Sequence, residues 1–127
     1  MADMRTPLAK VRGLGSAKEG TGHFWRIRVT SVALVPLTLF FIGFVISLNG
    51  AGYAEVRASL SQPFVALLVA LFIVLSLDHM RLGMQEIIED YIHGEGLKVS
   101  LVMLNIFFCV IVGVIAVFSI LKLAFGG

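Results

Sequence analysis

Three long apolar runs, separated by short polar connections, constrain the fold of this chain more than any other feature. They cover residues 29–49, 63 to about 84, and 97–125. The first and third runs each contain roughly 20 or more consecutive uncharged residues, enough for an α-helix to cross a hydrocarbon core about 30 Å thick. With 58% hydrophobic and only 14% charged residues, the composition does not fit a soluble surface. The pattern predicts an all-α membrane protein with three transmembrane helices.

The second apolar run is unusual, because charged residues follow before it is long enough to cross a membrane. Its uncharged part ends at Leu77, which makes it shorter than a span. A helix over residues 63–90 therefore carries three ionisable groups into the membrane: Asp78, His79 and Arg81. Such groups cost roughly 2.5 to 3.5 kcal/mol each at the centre of a membrane helix, so their presence indicates a function.

His79 is the candidate ligand in this stretch. Asp78 and Arg81 have the i, i+3 spacing at which opposite charges offset each other, whereas His79 points about 100° away from Asp78. Two interpretations of its imidazole stay open: a hydrogen bond to another helix, or metal ligation. A single histidine does not make a zinc site, but it is enough for one axial position of a haem whose other ligand comes from another chain.

His79 and Asp90 are predicted to share one face of the second helix. Each residue of an α-helix turns about 100°. Asp90 therefore points within about 20° of the direction of His79 and lies about 16 Å further along the helix axis. Gly83, one turn beyond His79, would let a flat macrocycle or a partner helix come close. Asp90 and Tyr91 follow where the helix leaves the hydrocarbon. A phenol there can donate to a quinone carbonyl with a carboxylate to orient it, although a simple interfacial tyrosine has the same signature.

Residues 1–24 are polar and rich in glycine, which predicts an irregular arm ahead of a membrane domain over residues 25–125. Most of the ten Lys and Arg residues lie on or just after this arm. The positive-inside rule therefore places the N-terminus in the cytoplasm, together with the connection after the second span. Trp25 and Arg26 fit a headgroup belt, whereas an arginine at the depth of Arg28 needs an anion, ordinarily a lipid phosphate.

Two residues of the third run are predicted to face protein rather than lipid. Asn105 can form hydrogen bonds and Gly113 allows close backbone approach, and both properties help helices to associate in a membrane. Residues 49–62, between the first two runs, are interpreted as a simple connector that ends before Pro63 opens the second span.

The stretch HMRLGMQEIIEDYIHG, which begins at His79, resembles a motif of the hydrophobic membrane anchor (D) subunit of succinate dehydrogenase, the succinate:quinone oxidoreductase known as respiratory complex II. In that motif a His is followed by Gly four residues later and by Asp-Tyr at eleven and twelve, often with His-Gly after them. The segment GSAKEGTGHFWRIRVTSVAL resembles the N-terminal arm and first helix of bacterial members. The resemblance extends over nearly the whole chain.

The resemblance implies a membrane-anchor subunit within a hetero-subunit helix bundle, with no role in nucleic-acid binding. Its partners would be a cytochrome b anchor subunit, an iron–sulfur subunit and a flavoprotein subunit, and succinate would be oxidised at a flavin outside this chain. His79 would be an axial ligand of haem b shared with the second anchor chain, and Arg28 would lie near the haem propionates. Asp90 and Tyr91 would belong to a ubiquinone-reduction site. Asp78 is not part of the motif.

Two other functions stay possible at this stage. In a haem-free structural anchor, His79 would make an interhelical hydrogen bond. In an unrelated small transporter or assembly protein, residues 78–81 would form an ion path. The lack of an obvious transit peptide favours a bacterial inner (plasma) membrane over the mitochondrial inner membrane.

Overall fold

The computed structural model describes residues 4–13 and 20–126, and these form five α-helices. Three of the helices are long and apolar enough to cross a membrane. No strand occurs in the described ranges, so the prediction of an all-α protein with three spans is confirmed. The helices are α1 (Pro7–Val11), α2 (Gly20–Ser47), α3 (Tyr53–Ser61), α4 (Pro63–Tyr91) and α5 (Glu95–Ala124).

The N-terminal segment contains more helix than predicted. Thr6 caps α1 by accepting a hydrogen bond from the backbone N–H of Ala9 at 3.2 Å, and Pro7 occupies the first helical position. Helix α2 begins at Gly20, within the arm predicted to be irregular. Each glycine costs a helix about 1 kcal/mol, but a helix already nucleated by a long apolar span gains one hydrogen bond per added residue. The rest of that prediction, for residues 1–3 and 14–19, lies outside the described residues.

The connector between the first two spans also contains a helix, which the prediction of a simple connector missed. Glu55 accepts a hydrogen bond from the backbone N–H of Gly52 at 3.0 Å, and this contact caps the N-terminus of α3. Gly50 adopts a φ of 81°, a left-handed conformation that favours glycine, and turns the chain after α2. Gln62 is extended and separates α3 from Pro63, the first residue of α4.

Helix α4 is the central element of the fold. It packs against α2 on one side and α5 on the other, whereas α2 and α5 make no contact with each other in the part of the chain that is described. The apolar core lies toward the end of the molecule away from His79, where Ala66 and Val69 of α4 meet Ile120 of α5. Phe41 of α2 stacks on Phe72 of α4 at a ring-centroid distance of 4.7 Å.

Most of the apolar surface of the three spans is uncovered by this chain. In the most apolar window of each span, only 11% of α2, 11% of α4 and 6% of α5 is buried. A contiguous apolar surface of this size needs lipid or further helices to cover it. The three spans therefore form an open layer with α4 in the middle, not a closed bundle.

Candidate functional site

The imidazole of His79 is held by a hydroxyl of the neighbouring helix. Its Nδ1 lies 3.0 Å from Oγ1 of Thr30 on α2, and Thr30 is only 4% exposed. The Thr30 hydroxyl is also 2.8 Å from the carbonyl oxygen of Arg26 and 3.0 Å from that of Ile27, to which it donates. A hydroxyl has one proton, so the imidazole is the donor in the other contact: Nδ1–H donates to Oγ1. This leaves the lone pair of Nε2 free.

His79 borders a largely apolar groove. His79 lines this groove, of about 410 Å³, with residues of α2: Ser31, Leu34, Val35, Thr38 and Leu39. Its Nε2 has no hydrogen-bond partner among residues 4–13 and 20–126. A neutral imidazole with one nitrogen fixed by a hydrogen bond and the other free is the usual arrangement of a metal-ligating histidine. In the same ranges, no three His, Cys, Asp or Glu side chains gather into a metal site. One histidine can supply one axial ligand of a haem.

Asp78 forms a charge cluster beside His79. The Nε and Nη2 atoms of Arg26 donate to the two carboxylate oxygens of Asp78 at 2.8 and 2.7 Å, and Nη2 of Arg81 lies 3.2 Å from Oδ1. The Asp78 and Arg81 side chains are 18% and 19% exposed. The predicted pairing of Asp78 with Arg81 is confirmed. Arg26, predicted to meet lipid headgroups, binds Asp78 instead and so connects α2 to α4.

Arg28 lines a groove that shares Ser31 with the His79 groove. Its guanidinium sits 4.8 Å from the centre of the Phe24 ring, and its side chain is exposed. Arg28 and Phe24 line a second groove that also includes Ser31, and Ser31 lines the His79 groove as well. None of the described carboxylates forms an ion pair with Arg28. Its charge is available to an anion that extends from the groove.

Asp90 and Tyr91 lie at the far end of α4, away from this cluster. The helix is continuous from His79 to Tyr91, so the predicted common face of His79 and Asp90, about 16 Å apart along the axis, is confirmed. Tyr91 is the last residue of the helix and is 74% exposed. Neither side chain makes a hydrogen bond within the described ranges, so both are open to a ligand or partner. His79 and Arg28 thus line two different grooves that share Ser31, and the Asp-Tyr pair lies at a separate end of α4.

Helix α5 supports α4 at the level of the charge cluster. Asn105 Nδ2 donates to the backbone carbonyl oxygen of Arg81 at 2.9 Å. A Cβ built on Gly113 would lie 3.3 Å from Cδ1 of Leu77, so this glycine is where α5 comes close to α4. The predictions that Asn105 and Gly113 face protein are both confirmed.

The sequence matches a family of membrane subunits. The family described as "Succinate dehydrogenase/Fumarate reductase transmembrane subunit" matches residues 2–121. The chain is 34% identical over 121 residues to the succinate dehydrogenase hydrophobic membrane anchor subunit of Paracoccus denitrificans, covering 95% of this chain and 93% of that protein.

Two further relatives carry similar names. The corresponding hydrophobic membrane anchor subunit of Rickettsia bellii is 31% identical, with 79% of this chain and 80% of that protein covered. The succinate dehydrogenase membrane anchor subunit of Reclinomonas americana is 33% identical, with 65% and 71% covered. The chain belongs to the succinate dehydrogenase/fumarate reductase transmembrane subunit family. It is accordingly a multi-pass membrane subunit, as its three apolar helices predict.

In this member of the succinate dehydrogenase family, sequence reasoning misses the residues that support His79 from α2. Thr30, which holds the imidazole, is not among the residues predicted from the sequence, and Arg26 is predicted to lie among lipid headgroups. His23, at the start of α2, lies 3.2 Å from Glu86 of α4 and adds a third polar link between these helices. One signal is present: Arg26 and Thr30 are four residues apart, and therefore on one face of the helix.

Proposed function

We propose that this membrane-anchor subunit supplies His79 as one axial ligand of a haem b, and Asp90 and Tyr91 to a ubiquinone-reduction site. The second haem ligand would come from a second anchor subunit. The observation that carries the haem role is the hydrogen bond between His79 Nδ1 and Thr30, which leaves Nε2 free beside an apolar groove. Ligating histidines commonly donate the other ring N–H in this way, because the bond fixes both tautomer and ring orientation.

The surroundings of His79 fit a flat, largely apolar group with acidic edges. Bound haem would supply one-electron storage and transfer. A Cβ built on Gly83, one turn beyond His79, would have no atom of another described side chain or helix within 4 Å, so the helix surface there is open to close approach. Arg28, exposed in the groove that shares Ser31 with the His79 groove, would hold a propionate through charge-assisted hydrogen bonds.

The quinone role rests on the exposed end of α4. Tyr91 would donate its phenolic proton to a quinone carbonyl and stabilise negative charge that develops on that oxygen during reduction. Asp90, its neighbour, would orient the phenol and pass protons from the aqueous side. Both side chains are exposed, so other walls of the site would come from partner subunits.

The partner subunits would cover surfaces that this chain leaves open. The apolar faces of the spans are mostly exposed and would meet lipid and the cytochrome b anchor subunit. The cytoplasmic end of α4 carries exposed Glu86, Glu89 and Asp90, a polar surface for the iron–sulfur subunit, to which the flavoprotein subunit would attach. The complex would lie in a bacterial inner membrane with this N-terminus in the cytoplasm.

A reduced-minus-oxidised optical spectrum of the intact complex, purified through a tag on this chain, tests the haem role. The wild type should show a b-type haem band and co-purify with flavin, and His79→Ala should remove or shift the band. His93→Ala is the matched control, because His93 is exposed in the connection after α4 and should leave the band unchanged.

The haem-free structural anchor is the second candidate, because the His79–Thr30 contact would equally serve as a plain interhelical hydrogen bond. In that case flavin co-purifies with the wild type, and no haem band depends on His79. If neither flavin nor haem co-purifies, the anchor role itself is contradicted. That outcome would support the function of a small transporter or assembly protein.

A further inference from the structure

Two polar contacts join α2 to α4 side by side. The first is the ion pair of Arg26 with Asp78, and the second is the hydrogen bond of Thr30 with His79. Arg26 and Thr30 are one turn apart on α2, and Asp78 and His79 are consecutive on α4. Thr30 Oγ1 also donates to the carbonyl oxygen of Arg26 itself, so the two contacts share one helical turn.

The Arg26–Asp78 pair is the geometrically stricter of the two contacts. Nε and Nη2 of a planar guanidinium meet both carboxylate oxygens at 2.8 and 2.7 Å, which restricts the depth and the rotation of one helix against the other. The Asp78 side chain is 18% exposed and that of Arg26 is 56% exposed, so the constraint comes from the two-point geometry rather than from burial of the pair. Apart from His23 with Glu86, these are the polar links between α2 and α4 within the described ranges.

The Thr30–His79 contact depends on how α2 lies against α4. Thr30 is buried, and its hydroxyl is tied to carbonyl oxygens of its own helix, so Oγ1 moves with the α2 backbone. In the described structure the backbone of α2 lies beside α4, and no Cα atom of α2 comes within 8 Å of one in α5. A shift of α2 of a few tenths of an ångström would lengthen the bond from 3.0 Å past the usual range for a hydrogen bond.

We propose that Arg26 and Asp78 are positioning residues for His79: their ion pair fixes α2 against α4 so that Thr30 Oγ1 accepts the imidazole Nδ1–H. This inference rests on the proposed haem role of His79. A hydrogen bond at Nδ1 makes the imidazole a stronger donor, which favours the more positive ferric iron and lowers the reduction potential. Loosening the ion pair should therefore raise that potential without altering the ligand.

A redox titration of the haem in the intact complex tests the proposal. Arg26→Lys keeps the charge but cannot donate from two fixed nitrogens to both oxygens of Asp78. Thr30→Val removes the hydrogen bond itself. Both variants should raise the midpoint potential, and the double variant should raise it no further than Thr30→Val alone, because Arg26 acts through Thr30. Lys98→Arg on α5 is the control for exchanging one cation for another, and should leave the potential unchanged.

An unchanged potential in Arg26→Lys, or a shift that adds fully to that of Thr30→Val, overturns the positioning role. If Arg26→Lys does not assemble, Asp78→Glu replaces it, since it keeps the charge and moves the carboxylate by one methylene. The same rise and the same lack of additivity are expected. The optical spectra of wild type and His79→Ala test the haem role independently of the redox titration. If they show that His79 binds no haem, this inference is overturned together with its premise.

Discussion

Asn105 binds the main chain of Arg81: its Nδ2 donates to the carbonyl oxygen of Arg81 at 2.9 Å. The guanidinium of the same arginine lies 3.2 Å from Asp78, which also binds Arg26. Arg81 is thus linked to α5 through its main chain and, by way of Asp78, to α2. One polar layer connects all three spans at the depth of the candidate haem ligand, while the apolar core lies toward their other end.

Replacing Asn105 with Leu should weaken the association of α5 with α4. An interhelical hydrogen bond in a membrane contributes about 0.6 to 2 kcal/mol, so we expect a loss of about 1 kcal/mol and a lower midpoint of thermal unfolding for the solubilised complex. Ser119→Ala is the matched control on the same helix, because the Ser119 hydroxyl donates only to Ile115 of its own helix. If the two variants are equally stable, the Asn105 contact does not hold the helices together.

Gly113→Leu should destabilise the same pair of helices by overpacking. A Cβ at this position already lies 3.3 Å from Cδ1 of Leu77, so a larger side chain has to displace Leu77 or push the helices apart. We expect a loss of about 1 to 3 kcal/mol. Adding Leu77→Ala frees space at the contact and should restore part of the thermal stability. A double variant that is less stable than Gly113→Leu would argue against this contact.

Tyr91→Phe should slow quinone reduction while leaving succinate oxidation intact. The change removes one hydroxyl, and the loss of a hydrogen bond to the developing oxyanion corresponds to about a tenfold lower rate. Quinone reduction and the reduction of an artificial acceptor that takes electrons before the quinone site should be measured on the same sample. Tyr53→Phe, at an exposed tyrosine of α3, is the control and should affect neither rate. Equal loss of both activities in Tyr91→Phe would exclude a specific quinone role.

The predicted topology can be tested with reporter fusions. The positive-inside rule places the basic N-terminal segment in the cytoplasm, so three spans leave the C-terminus on the opposite side. A reporter that is active only outside the cytoplasm should work when fused after Asn49 or Phe125 and fail when fused after His93. The reverse pattern would mean that the membrane topology is inverted, with the N-terminus, Asp90 and Tyr91 on the outer side.

The candidate site was predictable in part. His79, Asp90 and Tyr91 could be singled out because ionisable and phenolic groups at the end of an apolar run are costly, and because a helical period relates them along one segment. Arg28 could be singled out because an arginine at the start of a span needs an anion. Thr30 was not predicted as the partner of His79, since a threonine in an apolar helix commonly bonds its own backbone, as this one also does.

The sequence by itself determined the number of spans, the helix that carries His79 and Asp90 on one face, and the residues of α5 that face protein. These features depend on hydropathy and on periodicity within one segment, which are local properties. Only the tertiary structure decided that Arg26 binds Asp78, that Thr30 binds His79, and that α4 lies between α2 and α5. The reason is physical: partners on different helices are set by relative depth and rotation, and these come from packing along the whole helix, which no short stretch of sequence encodes.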